Sequence, residues 1–340
     1  MPAGAYCESE NCFPIGGQFL KREVKMVDIF YKKDGKIAIS QDIADFRRFT
    51  LDEIVWIDML SPTGEEKRMA EAFLGTEIQS RAQAEEIESS SRFKETNKAI
   101  FANTNFLMPG PDGYGMEAVS FTLVGGCLTT VRDFPLRSFI ELQRKMRAMP
   151  RLFPDGYRVF VSILDQRVDL DADMIELMSK ETAQYSKRIN QQEDINEEFL
   201  LDINRLQENT MVIRENIVDK QRLITNLMKS DKYPEELTQR FNVLQQDISS
   251  LINHTNFNFE RLEYLQDTAE GLINLEQNRI MKLFTLISLL LMPPTLVTSF
   301  FGMNVNLPFA QLPLAWLLII VIMVLSFGVV LYFFIKRKML

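Results

Sequence analysis

The sequence is poor in the residues that usually build catalytic sites. His254 is its only histidine in 340 residues. One imidazole, with no nucleophile or metal constellation around it, gives little from which to assemble a reaction, so an enzyme is not expected. Cysteine is scarce too. Cys7, Cys12 and Cys127 are odd in number, and the first two are too widely spaced for a zinc knuckle. All three read as free thiols in a reducing compartment. The start of the chain has no basic stretch leading into an apolar core, so no signal peptide is expected. A Walker A loop is missing as well, which leaves no ATP-driven step to propose.

Charge is the most informative absence. Between Leu283 and Ile335 there is no Asp, Glu, Lys, Arg or His. That run of about fifty residues is long enough for two membrane spans of about twenty each. The polar turn from Asn304 to Pro313 separates them. Arg279 and Lys282 precede the first span, Lys336-Arg337-Lys338 follow the second, and the turn between has no charge. Cytoplasmic flanks are the basic ones, so both termini are placed inside and the turn outside a plasma or inner membrane. The net charge is −8, and the basic tail supplies three positive charges, so residues 1–282 carry −11. Such an acidic part argues against nucleic acid as a partner and is compatible with a cation.

The front of the chain reads as an α/β domain with a mixed or antiparallel sheet. Val27–Tyr31 and Lys36–Ile39 flank Asp34-Gly35, a hairpin signal. Glu53–Leu60 has the composition of a buried strand. Thr63 and Glu66 are spaced as a capping box for a helix reaching Leu74. Strands are expected at Lys98–Met108, Glu117–Val124 and Leu128–Val131, and a helix at Leu136–Met149. Beyond Pro154 the pattern is helical, from about Tyr157 to Ile189 and from Ile195 to Met228. After Pro234 no proline occurs until Pro293, and Gly271 is the only glycine in that interval. A helix of this length would span about 85 Å. The expected organisation is a lead-in over 1–24, an α/β domain over 25–150 and a helical region over 151–234. A stalk helix follows over 235–304, its membrane part near 283–303, then an outer loop over 305–313, a second span over 314–335 and a basic tail over 336–340.

One stripe of the stalk runs through Asp267, Gly271, Asn274, Asn278, Met281, Thr285, Ser288, Met292, Thr295 and Ser299. Alternating steps of four and three keep residues on one face of supercoiled helices. Such a seam is normally Leu and Ile, whereas here it is polar, small or Met, with Leu283, Ile287, Leu290, Leu291 and Leu296 off it. Polar groups at membrane depth face protein or a water-filled cavity. One helix cannot enclose a cavity, so several copies lining a pore is one reading. Hydroxyls bonding back to helix carbonyls, or gluing helices together near Pro293-Pro294, is the other.

Met292-Pro293-Pro294-Thr295, then Phe301-Gly302-Met303-Asn304, then a second span ending in Lys336-Arg337-Lys338 resemble the CorA family of divalent-cation transporters. Trp56-Ile57-Asp58 followed by Ser61-Pro62-Thr63 and Glu65-Glu66 resemble its soluble domain. The likeness covers nearly the whole chain after residue 24. It implies a funnel-shaped homopentamer in the lipid bilayer, with no cofactor beyond transported and regulatory Mg²⁺ or another divalent cation. Carried over by position, Gly302, Met303 and Asn304 form the selectivity filter. Asn274, Asn278, Met281, Phe284, Thr285, Ser288, Met292, Thr295 and Ser299 line the pore, and Asp267 forms a ring in the cytoplasmic funnel. Phe284 stands where many relatives have a smaller aliphatic residue. The resemblance implies uptake of Mg²⁺, with Co²⁺ and Ni²⁺, driven by membrane potential and gated by intracellular cation. Proton-coupled transport of Zn²⁺ on the same scaffold is the alternative, and a scaffold whose spans only oligomerise is a third. The segment 305–311 lacks the acidic residue often found after Gly-Met-Asn in Mg²⁺-selective relatives, whereas Met303 favours Mg²⁺ over Zn²⁺.

Regulatory metal candidates are Glu85, Glu86, Glu88 and Asp247, each of which also reads as a solvated helix charge. Asp169, Asp171 and Asp173 resemble the start of an EF-hand, but Met174 and Lys180 occupy its required Gly and Glu positions. Helical spacing sends Asp171 to the face opposite its two neighbours, and the run is read as surface.

Overall fold

The computed structural model describes residues 26–79, 92–110, 113–191, 195–303 and 314–336. The lead-in over 1–24, Cys7, Cys12, the segment 305–313 expected as an outer loop and residues 337–340 lie outside the described residues. Contacts divide the chain into one compact unit ending at Leu265 and a second comprising residues 194–197 and 266–340.

The first unit is built on a seven-stranded sheet in the order β2-β1-β3-β7-β6-β5-β4. Its strands are β1 (Met26–Lys33), β2 (Lys36–Ser40), β3 (Ile54–Leu60), β4 (Phe93–Glu95), β5 (Ala99–Pro109), β6 (Tyr114–Val124) and β7 (Cys127–Arg132). Every pairing is antiparallel except β3 with β7, so the sheet is mixed. The β1–β2 turn places Asp34 at φ 50° and Gly35 at φ 73°, the left-handed pair a two-residue hairpin needs. All seven residues of β3 are buried, as expected of a strand covered on both faces.

Helix α1 (Gly64–Leu74) starts at the Thr63/Glu66 capping box, with Glu66 Oε2 accepting from Thr63 N at 2.6 Å. It covers one face, where Ala70 and Leu74 join Val27, Ile29, Ile57 and Met59. The opposite face is aromatic. Trp56 stacks on Phe30 at 4.7 Å, and Phe139 of α2 (Arg137–Ala148) lies 5.7 Å from Trp56. Phe160 of α3 (Gly156–Gln191) lies 4.7 Å from Phe121.

Gly156 sets how α3 meets the sheet. Its N–H donates to Gly126 O at 2.6 Å, and a Cβ there would lie 2.4 Å from Leu128 N and 2.8 Å from Val55 O. These are backbone atoms of the β3–β7 seam and its turn, so no side chain fits. Beside the seam, Asp58 accepts from Arg132, from Thr130 Oγ1 at 2.8 Å and from Gln143 Nε2 at 3.3 Å. Trp56 Nε1 donates to Thr130 Oγ1 at 2.9 Å. Trp56 and Asp58 thus share one face and one partner.

Asp171 corrects the surface reading of the Asp169–Asp173 run. Asp169 and Asp173 are exposed, but Asp171 is buried. Its carboxylate accepts from Arg167 at 2.6 Å and faces Lys220 Nζ of α4 (Glu197–Met228) at 2.9 Å. Lys220 also donates to Asn216, whose Nδ2 donates to Asn105 O at 2.7 Å. Helical spacing correctly separates Asp171 from its neighbours. The inward face carries charge because its cationic partner comes from another helix. Cys127 is also buried and free, its thiol pushed up to about 12 by burial.

After a short 3₁₀ turn at Glu235–Leu237, α5 runs unbroken from Thr238 to Phe301, 64 residues or about 96 Å. It passes through Pro293 and Pro294. Helix α6 (Ala315–Lys336) is apolar to its last residue.

Candidate ion pathway

Helix α5, which enters the second unit at Gln266, and α6 are both long and apolar enough to cross a membrane. The apolar window of α5 has none of its residues buried, and that of α6 has 6%. Surfaces this apolar need lipid or another protein chain to cover them.

The predicted pathway residues lie along α5 and just past its end. Asp267, Asn274, Asn278, Met281, Phe284, Thr285, Ser288, Met292, Thr295 and Ser299 are all exposed. Exposure does not single them out, since off-stripe Leu291 is 55% exposed and on-stripe Met292 61%. What distinguishes the stripe is its chemistry and its helical period.

Two of its hydroxyls bond back to the helix. Thr285 Oγ1 donates to Met281 O at 2.8 Å and Thr295 Oγ1 to Leu291 O at 2.7 Å. Off the stripe, Thr298 Oγ1 donates to Thr295 O at 2.9 Å. Each O–H is thereby satisfied in an apolar setting, and the oxygen keeps lone pairs that can accept. Pro293 and Pro294 lack the N–H groups that would otherwise pair with the Leu289 and Leu290 carbonyls. The threonine bonds go to other carbonyls.

At the C-terminal end of α5, Gly302 N–H donates to Thr298 O at 2.9 Å and Met303 N–H to Phe300 O at 3.4 Å. A Cβ on Gly302 would stand 3.0 Å from Thr298 O, so the backbone there is closely wrapped. Met303 is exposed, and Asn304 lies outside the described residues.

Glu85, Glu86 and Glu88 also lie outside the described residues. Asp247 is exposed on the first-unit part of α5. Burial raises the pKa of Asp169, and the nearby charges of Asp165, Asp247 and Asp173 raise it further. Among the described residues no three His, Cys, Asp or Glu side chains gather as a metal site. The sequence reading did not find Gly156 or the Asp171–Lys220 pair. A Pro-Asp-Gly run between two helical patterns was the only hint of the first.

An α/β domain whose last helix runs on into an uncharged span, followed by a second span, defines the class of an integral membrane protein. The chain belongs to the CorA-like Mg²⁺ transporter family, whose model matches residues 52–337. It is 32% identical over 321 residues to the magnesium transport protein CorA of Wolinella succinogenes, covering 93% of this chain and all of that one. To the protein of the same name from Campylobacter jejuni it is 31% identical over 296 residues, covering 84% and 90%. The fold resembles the complete CorA magnesium transporter of Methanocaldococcus jannaschii, with a TM-score of 0.75 at 18% identity, over 91% of this chain and 97% of that one.

Proposed function

We propose that this chain conducts Mg²⁺ into the cell as a homopentamer, with α5 of each copy lining a central pore and α6 forming an outer ring. The observation that carries this reading is the stripe from Asp267 to Ser299, which keeps one period along a single unbroken helix and is free of apolar branched residues. Family membership and relatives named as magnesium transport proteins support it.

Mg²⁺ dehydrates reluctantly and prefers oxygen ligands. A ring of Asn304 amide oxygens with Gly302 carbonyls, flanked by Met303, would hold the ion through its water shell. Neutral ligands let it leave again. Asn274, Asn278, Thr285, Ser288, Thr295 and Ser299 supply acceptors along the path. Met281, Phe284 and Met292 form apolar rings that can close it by dewetting. Asp267 gathers cations at the cytoplasmic side. A divalent ion entering an inside-negative cell gains about 4.6 kcal/mol per ~100 mV, so no other energy source is needed. In this reading both termini are cytoplasmic, Co²⁺ and Ni²⁺ share the path, and intracellular cation held at subunit contacts near Glu85, Glu86, Glu88 and Asp247 closes it.

The experiment is uptake into proteoliposomes holding Mg²⁺- and Zn²⁺-sensitive dyes, for the wild type and Asn304→Ala. Potential-driven Mg²⁺ influx lost in the variant supports the proposal. Zn²⁺ influx that requires a pH gradient would replace it, and no flux of either ion would leave only an oligomerising scaffold.

A further inference from the structure

Within the first unit, α5 leaves one face uncovered by its own chain. Phe241, Ile248, Thr255 and Leu262, spaced by seven, are all buried, so the helix keeps a seven-residue period against the domain. Both of its shoulders are held as well. Asn258 Nδ2 donates to Ser179 Oγ of α3 at 2.6 Å, and Arg240 donates to Asp165 of α3 at 2.8 Å. On the other shoulder, Arg214 Nε of α4 donates to Asn256 Oδ1 at 2.7 Å and Gln221 Nε2 of α4 to Ser249 Oγ at 3.2 Å. Between the shoulders, on the side away from the buried line, run Val243, Phe257 and Tyr264. They are 54%, 62% and 68% exposed.

Apolar residues scattered singly over a surface need no explanation, but these three fall on one line. Tyr264 follows Phe257 by seven residues, and Val243 precedes Phe257 by fourteen. Counting on by sevens from Tyr264 along the same helix reaches Gly271, Asn278, Thr285, Met292 and Ser299. The line that is small, polar or Met further on is therefore aromatic here. Carboxylates keep step with it, Glu260 lying between the two rings and Asp267 three residues past Tyr264. Helical side chains lean towards the N-terminus, so the Tyr264 ring leans away from Asp267 and towards Glu260. Two aromatic rings on one exposed line form a large apolar surface, of the kind another protein chain covers.

We propose that Phe257 and Tyr264 meet the same residues of neighbouring copies of this chain, forming an aromatic collar that narrows the cytoplasmic mouth of the ion path. This rests on the pore reading of the stripe, because the shared seven-residue register is what turns this face towards the other copies. The occupant is a second copy, since in a ring the same line of every subunit faces the shared axis. The two rings are two turns apart, so the collar is about 10 Å deep. It is distinct from the apolar rings of Met281, Phe284 and Met292. Packed rings hinder a hydrated ion, and moving the helices apart lets it pass. The Tyr264 hydroxyl reaches water in the mouth while its ring packs, and an aromatic face also attracts the cation as it leaves.

The test joins thiol cross-linking to Mg²⁺ uptake, both on the full-length protein in proteoliposomes. Tyr264→Cys and Phe257→Cys should each give linked dimers of the chain with a short bismaleimide. A bismaleimide is used because backbones held apart by two rings lie beyond the roughly 7 Å that a disulfide tolerates. The wild type, with only Cys7, Cys12 and Cys127, sets the background. Tyr264→Ala should raise uptake several-fold, and Tyr264→Phe, which keeps the ring, should leave it within about twofold. Linked dimers no more abundant than background in both cysteine variants overturn the proposal. So does uptake by Tyr264→Ala equal to that of the wild type while Asn304→Ala abolishes it. If the wild type conducts nothing, the pore reading fails by itself, and the cross-link alone decides whether the rings meet.

Discussion

Asp58 and Arg132 meet across the one parallel pairing of the sheet, Nη2 to Oδ2 at 2.7 Å and Nε to Oδ1 at 3.2 Å. Both side chains are almost wholly buried, at 2% and 5% exposure. Arg132 also donates to Phe134 O and lies over the Phe139 ring at 4.6 Å. The pair is a two-toothed joint between β3 and β7. Removing one partner strands a buried charge, whereas removing both does not. Asp58→Ala should therefore cost about 3–5 kcal/mol, and Asp58→Leu with Arg132→Met less than the sum of the single changes. Thermal unfolding of the full-length protein in detergent measures both.

Gly156→Ala should destabilise by about 1–3 kcal/mol, since its Cβ would press on the backbone of the sheet. Gly64→Ala is the matched control. It sits at the first position of α1 with nothing within 4 Å of an added Cβ, and should be neutral or stabilising by up to about 1 kcal/mol. The same melts would show the opposite signs.

Lys220 gives a pH dependence with a defined direction. Burial pushes its pKa from 10.5 down to about 8, with Arg167 acting the same way and Asp171 and Asp219 opposing. Unfolded, Lys220 keeps its proton to about pH 10.5, whereas folded it releases the proton near 8. The unfolded state thus binds more protons in that window, and stability from this group rises with pH across it. The gain is about 3 kcal/mol at most, and below pH 8 it is absent. The difference in melting temperature between wild type and Lys220→Met should shift in favour of the wild type from pH 8 to 10.

In the proposed pentamer Met292 faces the pore and its neighbour Leu291 the lipid, so the two substitutions test the assignment. Met292→Ala would remove an apolar ring and should raise Mg²⁺ leak several-fold into proteoliposomes at high Mg²⁺, where the path is closed. Leu291→Ala, off the stripe, should leave flux within about twofold, as expected of a lipid-facing aliphatic residue. Equal effects of the two substitutions would mean that the stripe is not the path.

Much of this fold was legible in the sequence, because local chemistry set it. Asp34-Gly35 made a hairpin because it tolerates positive φ, and Thr63 and Glu66 capped a helix because their spacing allows reciprocal bonds. The run of β3, apolar but for Asp58, announced burial on both faces. Strand β4 was not foreseen. It is three residues long, none of them buried, so it leaves no alternation to read. Gly156 and Lys220 were missed for another reason. Their roles depend on atoms far along the chain, the Leu128 backbone and the Asp171 carboxylate, and no local period records those meetings. The stripe on α5 was legible for the opposite reason, since a helix keeps its own register whatever faces it.

The pairing of β3 with β7 also bears on how the chain is made. Every residue of β3 ends up buried, yet its parallel partner emerges only with Cys127–Arg132. At ordinary translation rates β3 waits roughly 4–15 s for that strand, with β1 alone beside it and its other edge open. An open apolar edge is a template for pairing with another chain. The nascent domain is therefore most exposed to aggregation before Arg132 leaves the ribosome, and substitutions that delay closure of the seam should lower yield more than they lower the melting temperature of whatever folds.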